Sequence, residues 1–146
     1  MDSSMKICTT CGICCYQTEM ELSESDIVRI EHGSSGSILR RDFAVKKGNY
    51  FQLINHEGHC IFLLPKTNTC KIYSFRPMGC QFYPMIYDLE KDKCVLDKDC
   101  PHKHIFYSDT SEFKVTCSSL RKWVKKELIW RIFMCYKIGG KDERNH

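Results

Sequence analysis

Four cysteines fall within eight positions at Cys8-Thr9-Thr10-Cys11-Gly12-Ile13-Cys14-Cys15. A loop that short has no core of its own, so a bound metal is what would order it. Cys8, Cys11 and Cys14 form C-x2-C-x2-C, the spacing that lets consecutive thiolates curl around one iron-sulfur cluster in bacterial ferredoxins. Gly12 supplies the unhindered backbone such a wrap needs. Cys15 is different, because adjacent side chains diverge and rarely reach the same ion. It points to a second site or to a bridging role.

Further along, Cys60, Cys70 and Cys80 stand ten residues apart, each closing or following a turn, and Cys100 is followed by Pro101. Loops returning at such intervals bring thiolates to one side of a small sheet. Eight sulfurs would make two four-ligand sites, although spacing does not say which cysteines share one. Paired C-x2-C knuckles, the usual signature of structural zinc, are missing from the second set, and the ligand set is nearly free of histidine. One or two iron-sulfur clusters, 4Fe-4S in type, are therefore favoured over zinc, the alternative that a four-thiolate site also admits.

Other groups invite plainer readings. Cys117 and Cys135 recur on an apolar helix face and read as small core residues. Cys94, in a strand, reads as core or ligand. His102 and His104 flank Cys100 but read as surface groups, and Arg76-Pro77 reads as a turn whose Arg pairs with a carboxylate or caps carbonyls. No carboxylate pair or Ser-His-Asp pattern stands out, so no catalytic group is assigned.

With 146 residues, 42% of them hydrophobic and 27% charged, the chain reads as one globular α+β domain over residues 1–146. The start Met-Asp-Ser-Ser-Met-Lys has no apolar signal region, and no run reaches the ~18 apolar residues of a membrane span. A reducing cytoplasm is expected, where clustered thiols are more often metal ligands than disulfides. The formal charge of +4 is weak evidence for a polyanion partner. Two four-thiolate sites at about −2 each would cancel it.

The elements that must position these groups follow in order. Leu22 to Gly33 predicts a short helix, with Ser23 as cap, Glu24 and Asp26 at the positive end, Ile27 and Ile30 facing the core, and Gly33 left-handed at the stop. Residues 38–47 are ambiguous, with Phe43 as the anchor. Tyr50–Ile54 and Cys60–Leu64 predict a hairpin joined through Gly58. Thr67-Asn68-Thr69 makes a turn before Cys70, and Pro77 with Gly79 breaks the chain ahead of Cys80. Met85–Asp88 and Lys93–Asp97 predict a second hairpin. Phe113, Cys117, Leu120, Val124, Leu128 and Ile132 recur at helical steps, giving a long amphipathic helix over 109–138. An Asp109/Glu112 capping box starts it, Gly139-Gly140 stops it, and a charged tail, 141–146, follows. Lys114, Arg121, Lys122, Lys125, Lys126 and Arg131 lie mostly off its apolar face.

The ordered set Cys8-x2-Cys11-Gly12-x-Cys14-Cys15, Gly58-His59-Cys60-Ile61-Phe62-Leu63, Cys70 through Arg76-Pro77-Met78-Gly79-Cys80-Gln81-Phe82-Tyr83-Pro84, and Cys100-Pro101 resembles the YkgJ-type cysteine-cluster proteins. Their shared region is described as zinc- or iron-chelating. The resemblance runs from about Cys8 to Cys100 and implies a metal-binding module, taken as residues 8–102, with Cys8, Cys11, Cys14, Cys15, Cys60, Cys70, Cys80 and Cys100 as ligand positions. It implies no particular reaction. The family often has Arg where this chain has Gln81. Two roles follow as expectations. One is a cluster or electron carrier, or accessory factor, serving a protein partner; the other is a zinc-stapled adaptor whose basic C-terminal helix docks on protein or RNA.

Overall fold

In a computed structural model, the structure describes residues 11–129. Cys8, Cys135 and the predicted helix end and tail lie outside them. The architecture is mixed, made of short antiparallel strands with four α-helices among the described residues: β1 (Glu21–Leu22), α1 (Glu24–Gly33), α2 (Arg40–Phe43), β2 (Ala44–Lys47), β3 (Tyr50–Leu53), β4 (Asn55–His56), β5 (His59–Cys60), β6 (Leu63–Leu64), β7 (Thr69–Cys70), α3 (Met78–Phe82), β8 (Met85–Asp88), β9 (Lys93–Leu96) and α4 (Thr110–Trp123). A π-helical stretch, Val124–Ile129, continues α4. No described helix is long and apolar enough to cross a membrane.

α1 forms where the sequence predicts it, and its cap is reciprocal. The Ser23 hydroxyl accepts from the Asp26 N–H at 3.0 Å, and the Asp26 carboxylate accepts from the Ser23 N–H at 2.9 Å. Leu22, Ile27 and Ile30 are fully buried. The expected left-handed stop at Gly33 is not found. Gly33 is the last helical residue, and the left-handed backbone comes later, at Ser35 and Gly36. Glycine is needed at 33 for space, since a Cβ there would stand 2.6 Å from the Phe75 ring.

The predicted hairpin of Tyr50–Ile54 with Cys60–Leu64 is corrected. β3 pairs instead with β1 and β2, in a sheet of order β1-β3-β2, with Leu22 opposite Phe51 and Ala44 opposite Leu53. The ambiguous 38–47 stretch thus supplies α2 and the partner strand. The turn at Glu57-Gly58 is real but serves a shorter hairpin, β4–β5, with His56 opposite His59. β6–β7 closes around Asn68, and β8–β9 pairs Met85 with Leu96 and Asp88 with Lys93 as expected. The break anticipated at Pro77 and Gly79 is a helix start, with Pro77 preceding α3, so Cys80 sits within a helix. Pro is well suited to a helix entry, where its missing N–H costs nothing.

Two apolar clusters result. The first gathers Leu22, Ile27, Ile30, Phe43, Leu53 and Ile72, among others, between α1 and the three-stranded sheet. The second packs the β8–β9 hairpin on α4 through Met85, Cys94, Leu120 and Val124. α3 touches both, Cys80 lying against the first and Phe82 against the second. The amphipathic pattern of α4 is borne out through Leu128. Its cap differs in detail: the Asp109 carboxylate accepts from the Ser111 N–H at 2.8 Å, in place of the predicted box with Glu112.

Candidate metal centre

The N-terminal cysteine loop begins on a left-handed residue. Gly12, at φ 64°, opens a 3-10 turn over Ile13–Cys15, closed by the Cys15 N–H to the Gly12 carbonyl at 3.0 Å. A Cβ at Gly12 would lie 3.0 Å from the Asn68 side chain and 3.3 Å from Leu63. Glycine therefore serves twice, allowing the left-handed turn and letting the loop seat on the β6–β7 hairpin that carries Cys70. The following residues fasten to the β4–β5 hairpin that carries Cys60. The Gln17 N–H donates to the Gly58 carbonyl at 2.9 Å, the Asn55 amide donates to the Thr18 carbonyl at 2.8 Å, and the Tyr16 ring packs edge-on to the buried His59.

Cys80 is placed by a network that begins at Asp26, 52 residues before Met78. The fully buried Asp26 carboxylate accepts from the Arg29 guanidinium at 2.7 Å and from the Met78 N–H, at the start of α3, at 2.9 Å. Arg29 also donates to the Arg76 carbonyl at 2.9 Å. A buried carboxylate is tolerable only with such partners. Here they tie α1 to the segment Arg76–Cys80.

Cys14, Cys15, Cys60, Cys70 and Cys80 all line one cavity of about 560 Å³. Tyr73, Arg76, Tyr83 and Asp97 share its walls, and the Tyr83 hydroxyl donates to the Asp97 carboxylate at 2.7 Å. Cys11 and the buried Cys100 do not line it. Cys100 is nevertheless coupled to it. Burial holds its thiol above the ordinary range, and the charges of Cys14 and Cys11 add to that. All seven of these cysteines are free thiols.

Cys14, Cys60, Cys70 and Cys80 resist ionisation together. Burial, with the charges of Cys70 and Cys14, pushes Cys60 up to about 11. Burial raises Cys70 and, more strongly, Cys80, and the Cys14 charge pushes each further up. Cys14 is raised first by its hydrogen bond with Cys15, then by burial and by the Cys15 charge. Thiolates packed this way need a cation among them, and soft sulfur donors select zinc, copper(I) or iron-sulfur clusters. The donor chemistry therefore fits a metal. The spacing does not form a closed single-ion site, since no three His, Cys, Asp or Glu among the described residues are grouped to hold one ion.

Of the eight ligand positions read from the sequence, the structure thus brings five to one cavity, couples Cys100 to it through the charge of Cys14, places Cys11 off its wall, and leaves Cys8 outside the described residues. His102 and His104 do not line it. The readings of Cys94 as core or ligand and of Cys117 as a small core residue need correction. Both sit in the second cluster, but they are joined in a disulfide with Cα atoms 5.8 Å apart. Packing of β9 on α4 faces them to each other, and a bridged sulfur has no thiolate to offer a metal. Sequence reasoning missed the Asp26–Arg29–Met78 network. It anticipated that Arg76 caps a carbonyl, which its Nε does at Tyr73, 3.0 Å away, but not that Arg76 faces the cysteine cavity.

Comparison with known proteins bears on the same residues. The family model "CxxCxxCC: Putative zinc- or iron-chelating domain" matches residues 7–118. An uncharacterised protein of Methanocaldococcus jannaschii is 30% identical over 95 residues, covering 63% of this chain and 51% of that protein. The chain therefore spans about half the length of this curated relative. No solved structure matches.

Proposed function

The chain belongs to the CxxCxxCC family of zinc- or iron-chelating domains, and from that premise we propose that it carries an iron-sulfur cluster, 4Fe-4S in type, and passes electrons or the cluster to a protein partner. The observation that carries this reading is the shared cavity. Five cysteines from four separate segments, the 3-10 turn, β5, β7 and α3, line one space of about 560 Å³.

A single zinc ion needs its four sulfurs at about 2.3 Å, hence within roughly 4 Å of one another. The cavity has room for on the order of twenty waters at about 30 Å³ each, so a larger inorganic core suits it better than one ion. The C-x2-C-x2-C spacing and the near absence of histidine point the same way. A cluster held here would supply one-electron chemistry. The protein's part is to hold the thiolates apart on four segments, to surround them with Phe62, Ile72 and Tyr73, and to leave one side open. Cys14 is the exposed member of the set, which gives a partner access to the site from solvent.

Zinc as a mere staple, with α4 docking on protein or RNA, is the second reading. Its support is the exposure of Lys114 and Lys122 on α4 and of Lys126 in its π-helical continuation. Against it, Arg121 and Lys125 are already turned toward Asp92, at 3.8 and 3.9 Å. Anaerobic purification followed by iron, sulfide and zinc analysis separates the two. A broad absorption near 400 nm with equimolar iron and sulfide is expected; colourless protein with stoichiometric zinc would overturn the iron-sulfur assignment.

A further inference from the structure

Arg76 is the only Lys or Arg among the described residues that line the cysteine cavity, whereas Glu19, Glu21, Asp97 and Asp99 line it as well. A loaded cavity would add several thiolates to those carboxylates, leaving the guanidinium as the one fixed positive charge on its described wall. The side chain is held for that task. Its guanidinium carbon stacks 3.9 Å from the centre of the Tyr73 ring, and its Nε donates to the Tyr73 carbonyl at 3.0 Å. Its own carbonyl is gripped by Arg29 at 2.9 Å and by the Gln81 amide at 2.8 Å. Those contacts fix the backbone and Nε; its terminal nitrogens have no hydrogen-bond partner among the described residues.

We propose that Arg76 is the charge partner of the metal-bound thiolates, a positioning residue that offsets the negative charge of the loaded cavity and so sets how tightly it holds metal and how readily its cluster is reduced. The inference rests on the metal-site reading above. A cation fixed beside a centre that gains negative charge on reduction favours the reduced state, and interactions of this kind fade as salt screens them.

The test uses the full chain, kept anaerobic and reconstituted with iron and sulfide. Cluster retention is measured by competition with an iron chelator, and thiolate-to-iron absorption near 400 nm reports the ligands. Wild type is compared with Arg76→Gln and Arg76→Lys at low and high salt. The expected result is about tenfold weaker binding in Arg76→Gln at low salt, a smaller gap at high salt, and near-wild-type binding in Arg76→Lys, which keeps the charge but loses the planar stack. In reconstituted protein, Arg76→Gln should also be harder to reduce. Equal affinity in wild type and Arg76→Gln would overturn the inference alone, as would an equal loss in both variants, which would mark a purely structural role. Wild-type protein that takes up no iron and sulfide on its thiolates would overturn the metal-site reading and this inference with it.

Discussion

Asp26 shows how one side chain does more than its sequence position suggests. In the sequence it is an acidic residue in the first turn of a helix, and that role is real, since it completes the cap with Ser23. The same fully buried carboxylate also holds Arg29 and the Met78 N–H, 52 residues away. No local pattern encodes such a partner, so this part of the site was unreadable. Asp26→Ala would leave Arg29 and the start of α3 without their acceptor, and a loss of about 3 kcal/mol is expected, read from the urea midpoint of the metal-loaded protein. The cysteines give a second prediction. The raised thiols of Cys14, Cys60, Cys70 and Cys80 are protonated at neutral pH, with Cys60 pushed up to about 11, so metal must displace a proton from each of these that it takes. Apparent affinity should therefore rise with pH through the neutral range, by about tenfold per pH unit for each thiol displaced, and fall on acidification. Chelator competition at two pH values checks the sign, and an affinity that does not change with pH would contradict it.

Among the elements, the ones that came through from sequence were those with strong local signals. α1 had its cap, β8–β9 had two clear flanks and a polar turn, and α4 had a sustained helical period. The three-stranded sheet did not come through. β3 is equally β-like toward either neighbour, and its true partner β2 lies in a stretch with Phe43 as its single anchor. α3 was hidden because Pro77 and Gly79 read as breakers when Pro77 is in fact the entry to a helix. The disulfide was hidden for another reason. Expecting a reducing compartment made every thiol a ligand or a core residue, and a pair 23 residues apart shows no spacing signature. That bridge ties β9 to α4, so Cys94→Ala/Cys117→Ala should lower stability by about 3 kcal/mol through the freed chain. Denaturation under non-reducing conditions measures it; a double variant as stable as wild type would show that packing of Met85, Leu120 and Val124 already suffices.

Across the chain, the two apolar clusters are modest, and the cysteine cavity adjoins the first of them, with Cys60 inside that cluster and Cys15, Cys70 and Cys80 packed against it. The sequence announced the cavity through the density of its thiols and their even spacing, which named five of the residues that line it. It could not say that Arg76 would stand among them, because that requires the turn at Tyr73–Phe75 and the start of α3 to be in place. Metal should thus contribute a large part of the stability, since structural metal binding can supply ~10–16 kcal/mol against a typical net domain stability of about 5–15 kcal/mol. Chelation is expected to abolish most near-UV circular dichroism, and a sharp melt of the chelated form at the loaded temperature would contradict that. The measurement that bears most directly on the account is metal and sulfide content per chain, in protein purified anaerobically as wild type, Cys60→Ser/Cys70→Ser and Cys94→Ala/Cys117→Ala. Bound metal is expected in wild type, with its loss when the two cavity cysteines are replaced and full retention when the disulfide pair is replaced. Metal that survives loss of Cys60 and Cys70, or that disappears with Cys94 and Cys117, would contradict it.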